Sequence, residues 1–274
     1  MKRLTPYYIY YAILALFLTA CNGDSHDNDE KPVIDISTAI ADAPSTRLGY
    51  NGEKCSFTTG DIIHLIALPV GDTSTEKLKT ADYTLGDNGK WVPTPILRWD
   101  NDDIHLDFFA SYGNVTEDID FMTARTPDWT YAMGDVQLNF NHRTSKLIVH
   151  ISKIRDELGD NPDINVSIMV KNGMAYNLIT DAITLESYNS KRELQDVGNS
   201  KYETFILPQT GLRTITVTSG GKDYTWTSDT ELELKAGTIV TVNLAVGNDR
   251  VLIGSVVVTD WDEVTTIQGE EVEN

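Results

Sequence analysis

The chain has 274 residues, 41% of them hydrophobic, and a formal net charge of −19. That length accommodates one large or two ordinary domains, and that composition can bury a core, which argues against global disorder. The acidity repels phosphate backbones and argues against nucleic acid as a partner, while keeping a secreted or surface protein soluble.

Met1–Arg3 is a short basic start, and Tyr7–Ala20 is an uncharged apolar run. The run is shorter than the roughly twenty residues a helix needs to cross a bilayer, and it fits a secretory signal over residues 1–20. Leu18-Thr19-Ala20-Cys21 closes it and resembles a bacterial lipoprotein signal, in which the Cys21 thiol is lipidated and becomes the mature first residue. The other reading is an ordinary signal peptide that happens to hold a cysteine. The second cysteine, Cys55, then stands alone, and stability rests on packing rather than on a disulfide framework. Residues 21–32 are polar, acidic and aperiodic, and read as a solvated tether. Asp24, Asp27, Asp29 and Glu30 in that tether resemble a surface-export signal of Bacteroidetes.

From Val33 onward the chain is strand-like. Val33–Ser37 is a short apolar segment, and Ser45–Gly52, rich in turn formers, contains Arg47. Phe57–Pro69 carries a Gly-Asp turn and then a run apolar on both faces, expected to be an interior strand. Tyr83–Val92 is a hairpin candidate around Asp87-Asn88-Gly89, whose residues tolerate positive φ. Ile104–Tyr112 alternates Ile104, Leu106 and Phe108 with polar residues, and a polar loop is expected before Trp129–Gly134.

Asp135–Ile154 sits at the midpoint. Val136, Leu138 and Phe140 alternate with polar residues, and Leu147, Val149 and Ile151 repeat the pattern. This gives either two half-buried strands or one long strand bent at Asn141–Ser145. The stretch reads as the seam between a lobe at 33–134 and a second at 135–274. In the second, a short helical turn fits the segment after Ile154. Ile164–Val170, Ile183–Ser187 and Lys201–Gly211 are strand candidates, the last stopped by Pro208. Thr214–Thr227 is a hairpin about Gly220-Gly221, and Lys235–Gly247 and Val251–Trp261 supply the closing strands, followed by a loose acidic tail. Regular short strands with turn signals between them indicate all-β sandwich architecture.

Signatures of chemistry are sparse. His26, His64, His105, His142 and His150 are scattered, without HExxH or Cys/His ligand spacing, and neither a G-x-S-x-G elbow nor a P-loop occurs. The three strand histidines His64, His105 and His150 are expected to face solvent or satisfy local bonds, and His142 to bond the turn backbone. Trp99–Asp103 is the most interesting carboxylate cluster, but it lacks the glycine and glutamate of an EF-hand loop, so an acidic hairpin tip is the reading rather than calcium. The tryptophans could line a sugar-binding face or fill the core. The chain reads as no enzyme, with no cofactor and no metal.

An ordered set of short motifs runs through the mature chain: Thr46-Arg47 before Phe57, Gly60 and Asp61; Trp99 and Asp107–Tyr112; Tyr131-Ala132; Phe140, His142, Ser145, Lys146 and Leu147; Leu207–Gln209; Ala236–Val246; and Asp260-Trp261. Together they resemble the fimbrillin-like surface lipoproteins of Bacteroidetes. The resemblance implies two transthyretin-like Greek-key β-sandwich lobes and a subunit, anchor or tip of a cell-surface fimbria. It also implies that a trypsin-like protease cuts after a basic residue, here between Arg47 and Leu48, removing the first strand so that a neighbouring subunit's strand can take its place. The segment after Trp261 is a poor donor strand, which favours a tip, accessory or anchor role over a stalk role. The implied partners are other fimbrial subunits, the outer membrane through a lipid anchor, and a host or glycan ligand. The alternative is an outer-membrane lipoprotein that binds a glycan or host ligand and does not polymerise.

Overall fold

In the computed structural model, residues 31–41, 56–72, 75–114, 118–154, 163–246 and 251–260 are described. Cys21, Arg47, Leu48, Cys55 and Trp261 lie outside them, as do the surface-export acids, His26, the turn expected after Ile154 and the acidic tail. The described residues are all-β, with 3-10 turns at Thr75–Lys77 and Tyr131–Met133.

The midpoint stretch is two strands, not one. β7 (Val136–His142) alternates strictly, with Val136, Leu138, Phe140 and His142 buried and Gln137, Asn139 and Asn141 exposed. After Arg143 and Thr144 the chain enters β8 (Ser145–Ile154), which belongs to a different sheet. The period-2 pattern continues across the crossing, but the core it faces changes. Leu138 and Phe140 join one hydrophobic cluster; Leu147, Val149 and Ile151 join another.

Upstream of the crossing lie β1 (Ile36–Ile40), β2 (Ile62–Pro69), β3 (Lys79–Leu85), β4 (Trp91–Thr94), β5 (Leu106–Tyr112) and β6 (Met122–Trp129). With β7 they form one seven-stranded sheet in the order β1-β7-β6-β5-β2-β3-β4. Its two ends meet: Val33 bridges Arg98, Ile34 N–H donates to Leu97 O at 2.9 Å, and Trp99 N–H donates to Pro32 O at 3.1 Å. Twist curls the sheet, and joining its ends reduces the exposed edge. β3 and β4 form the hairpin expected from Asp87-Asn88-Gly89, and Pro93 is tolerated because β4 ends the sheet order.

β2 is interior in that order, between β5 and β3, but it is not apolar-buried on both faces. Ile62 and His64 are exposed, since the outer face of the curl meets solvent there. The loop expected before Trp129 is instead β6. Met122, Ala124 and Thr126 are buried, and the Thr126 hydroxyl donates to Gln137 O. Threonines that read as loop residues are good strand formers once their hydroxyls have partners.

Downstream come β9 (Ile164–Val170), β10 (Met174–Asn177), β11 (Ala182–Leu185), β12 (Ser190–Glu193), β13 (Gln195–Gly198), β14 (Lys201–Ile206), β15 (Gln209–Ser219), β16 (Lys222–Leu234), β17 (Thr238–Val246) and β18 (Val251–Asp260). The sheet β12-β9-β15-β16 and the sheet β13-β14-β8-β17-β18 enclose one core between them. Val166, Ile168, Val217 and Trp226 come from the first, and Leu147, Val149, Val240 and Val242 from the second. β10 and β11 form a separate hairpin whose Met174, Tyr176 and Leu185 pack on Phe121 and Leu207.

Polar contacts tie the two cores into one compact unit, Lys31–Asn274. The Asp118 carboxylate accepts from Thr204 Oγ1 at 2.7 Å, Arg192 Nη2 at 2.8 Å and Phe205 N–H at 2.9 Å. Beside the crossing, the buried Asp120 carboxylate meets His142 Nδ1 and accepts from the Thr144 hydroxyl.

Candidate functional site

The segment Ile34–Ile40 alternates Ile34, Ile36, Thr38 and Ile40 with Asp35, Ser37 and Ala39. The three isoleucines are buried in the first core. β1 therefore follows the same inside–outside rule as β7, against which it lies parallel in the register Ile36↔Val136 through Ile40↔Phe140. Val136 N–H donates to Asp35 O at 2.9 Å and Ala41 N–H to Phe140 O at 2.7 Å, extending the ladder at both ends. β7 in turn pairs with β6 only at Met122↔His142 and Thr123↔Asn141. Along most of its length, the ladder partner of β7 is β1.

β1 ends the sheet order, so its second flank carries no ladder. That flank opens on a cleft of about 800 Å³ lined by Ile36, Thr38, Ile40, Phe57, Leu85 and Trp91 among others. Among the described residues, Phe57 is the first ring anchor after β1: its ring meets Phe140 at 5.2 Å, Tyr112 at 5.3 Å and Trp91 at 5.4 Å, all edge-on. Such arrangements suit the ring quadrupoles and hold the cleft wall in place.

Two aromatic side chains reach β1 with polar tips. Tyr83, fully buried, donates to the backbone carbonyl of Ile34 at 2.8 Å. Burial holds its phenol well above the ordinary tyrosine range, and the Asp35 carboxylate adds to that. Trp91 Nε1–H donates to Thr38 Oγ1 at 3.2 Å. On the opposite face Ser37 Oγ donates to Gln137 Oε1 at 2.6 Å, in the open. The strand expected at Val33–Ser37 is thus displaced toward the C-terminus, with Val33 keeping only its bridge to Arg98. None of these partners was legible in the sequence, because they lie tens of residues away along the chain.

The remaining singled-out residues fall elsewhere. His64 Nδ1 meets Asp82 at 2.9 Å and His105 Nδ1 meets Asp128 at 2.5 Å, both exposed; His150 Nδ1 lies 3.2 Å from Asn243 Oδ1. The sequence reading missed the Asp120 carboxylate as the partner of His142. In the Trp99–Asp103 cluster, Asp100 pairs with Lys79 at 2.6 Å and Asn101 Oδ1 accepts from Asp103 N–H. Among the described residues no group of three or more histidine, cysteine or carboxylate side chains could hold a metal ion. Trp91, Trp99 and Trp226 are buried and Trp129 is half-buried, its indole donating to Gly134 O, so these four provide core rather than an open aromatic face.

The arrangement is a short terminal strand, laddered on one side only, lying in an apolar groove walled by Phe57, Leu85 and Trp91. A family model described as fimbrillin-like matches residues 113–261, more than half of the chain, from the end of β5 through β18. The chain belongs to the fimbrillin-like family. No curated protein matches it. The structure of this fimbrillin-like chain is similar to that of a candidate cell-adhesion protein from Bacteroides uniformis, at 19% identity and a TM-score of 0.62 over 84% of this chain and 99% of that one. A candidate cell-adhesion protein from Bacteroides ovatus is similar at 14% identity, with a TM-score of 0.62 over 84% and 98% of the respective chains. The tip fimbrial protein Mfa3 of Porphyromonas gingivalis, truncated at its C-terminus, gives 9% identity and a TM-score of 0.45 over 74% and 95%. The first two likenesses establish a shared fold across nearly the whole length of those proteins.

Proposed function

We propose that this fimbrillin-like protein is a cell-surface fimbrial subunit, at the tip, as an accessory or as the anchor, that assembles by β-strand exchange and contributes to adhesion. The observation that carries the reading is the placement of β1: an edge strand, bonded through one flank to β7, filling a groove of the first core. Cleavage between Arg47 and Leu48 releases it, since Arg47 follows β1 and precedes the Phe57 anchor. The vacated edge of β7 and the apolar slots then receive a neighbouring subunit's strand, with main-chain bonds supplying affinity. Cys21 carries the lipid that holds the uncut protein at the outer membrane, and the two cores are the two transthyretin-like Greek-key lobes of a non-enzymatic subunit. The buried tryptophans lend nothing to the alternative of a glycan-binding lipoprotein.

The test is treatment of the full-length protein with a trypsin-like protease, followed by intact mass, N-terminal sequence and unboiled SDS electrophoresis. The expected result is a new N-terminus at Leu48 together with SDS-resistant multimers, both lost in Arg47→Ala. Multimers formed equally well by Arg47→Ala, or a cut chain that stays monomeric, would overturn the reading.

A further inference from the structure

We infer that the groove under β1 contains a polar notch, so that a strand entering it must present a hydrogen-bond acceptor at its third inward position. The inference rests on the strand-exchange reading above and specifies the chemistry of the strand that fits.

Counting inward side chains from Ile34, the order is Ile34, Ile36, Thr38 and Ile40. Three of the four slots are apolar and accept any aliphatic side chain of similar volume with little discrimination. The Tyr83 hydroxyl donates to the carbonyl of Ile34, which every strand supplies, so that anchor is blind to sequence. The third slot differs. Its wall is Trp91, a buried indole with a donor and no acceptor, whose Nε1–H finds Thr38 Oγ1. The ring is wedged edge-on against Phe57 at 5.4 Å, so it cannot swing its N–H elsewhere without abandoning that contact. A strand with valine at this position matches threonine in shape but leaves the indole donor unmet, and an unmet donor costs more than a made bond returns. The notch therefore selects threonine, serine or another short acceptor over an aliphatic of equal size. The fitting occupant is a strand parallel to β7 with the inward pattern aliphatic, aliphatic, acceptor, aliphatic.

The test has two arms on the full-length protein. Amide hydrogen exchange across Ile36–Ile40 is measured in wild type, Thr38→Val, Thr38→Ser, Trp91→Phe and the Thr38→Val/Trp91→Phe double variant. Thr38→Val is expected to raise local opening about tenfold on the wild-type background and less than about twofold beside Trp91→Phe, with Thr38→Ser close to wild type. Equal effects of Thr38→Val on both backgrounds would overturn the notch. In the second arm, labelled peptides spanning residues 32–42, with threonine, serine or valine at position 38, are added to the protease-treated protein. Threonine and serine peptides are expected to bind about tenfold tighter than the valine peptide, and equally when the protein carries Trp91→Phe. Binding without preference would overturn the notch while strand exchange stands. Coupling in the first arm with no peptide entering in the second would overturn strand exchange, leaving the notch as a lock on β1 alone.

Discussion

Among the described residues, each half of the molecule contains one parallel strand pair in an otherwise antiparallel sheet, β1 with β7 and β17 with β8. The two are built for opposite ends. β17 is flanked on its other side by β18, and β8 on its other side by β14, so the second pair is the middle of its sheet. Val240, Val242 and Leu244 are wholly buried beneath it. β1 has a ladder on one flank and a cleft on the other, and its five residues lie at the terminus of the sheet. A parallel partner must arrive from elsewhere in the chain rather than around a tight turn. In the second half that long connection is locked in by neighbours; in the first it leaves a strand whose removal opens its ladder with β7 and the short junction at Val33 and Arg98, while the other ladders of the sheet stay paired.

The largest effect that separates the two comes from placing a charge beneath each. Val242→Asp buries a carboxylate in the centre of the second core and should destabilise by at least about 4 kcal/mol, abolishing the cooperative denaturant transition. Ile36→Asp introduces the same charge under β1, but the strand can lift off and hydrate it. The expected result is loss of amide protection at Ile36–Ile40 with wild-type protection retained in β8, β14 and β17. If Ile36→Asp erases protection in those strands too, β1 is integral to the whole fold and the contrast between the pairs is lost.

A smaller effect tests how firmly the two halves are held together. Asp118 lies at a φ of 57° and gathers three donors, two of them from β14 and one from Arg192 on β12. Asp118→Asn keeps a side chain that tolerates this backbone region, but removes the charge opposite the mostly buried Arg192. The expected loss is about 2 kcal/mol, as for a charged hydrogen bond. In a urea titration followed separately in each half, the single transition should split, the first sheet melting earlier. A midpoint unchanged within error would mean that the carboxylate does not hold the halves together.

How much of this could be read from the sequence depends on which interactions are local. The β3–β4 and β15–β16 hairpins were legible, because Asp87-Asn88-Gly89 and Gly220-Gly221 announce their own turns. β7, β8 and β17 were legible from alternation alone, and β14 as a run stopped by Pro208. β6, β12 and β13 were not, since Met122–Trp129 mixes threonine, arginine and proline, and Ser190–Glu193 and Gln195–Gly198 carry few apolar residues to mark a face. The groove was only half legible. Val33–Ser37 looked like a strand, and Arg47 like an exposed basic site, but the choice of β7 as partner, and of Tyr83 and Trp91 as polar anchors, spans 49 to 100 residues. Alternation says which way a side chain points; it cannot say which distant donor waits there.

The smallest effect concerns Tyr83, the sequence-blind anchor of β1. Its phenol is harder to ionise in the folded chain than in the unfolded one, because burial penalises the phenolate and the Asp35 carboxylate repels it. A group whose folded value is raised binds its proton more tightly when folded. Its contribution is therefore complete below the ordinary tyrosine value of about 10 and is lost as pH climbs from there toward the folded value. Tyr83→Phe removes the hydroxyl and leaves the Ile34 carbonyl without this donor, which at pH 8 should cost about 1 kcal/mol. Above about pH 10 the wild-type chain loses stability through Tyr83 at up to about 1.4 kcal/mol per pH unit, while the variant has no group there to ionise. Contributions common to both proteins cancel in the comparison. The difference between the two urea midpoints should thus shrink through pH 10 and reverse sign by about pH 11. Parallel curves would mean that the phenolate finds solvent without disturbing the groove, and that β1 is held by its ladder and isoleucines alone.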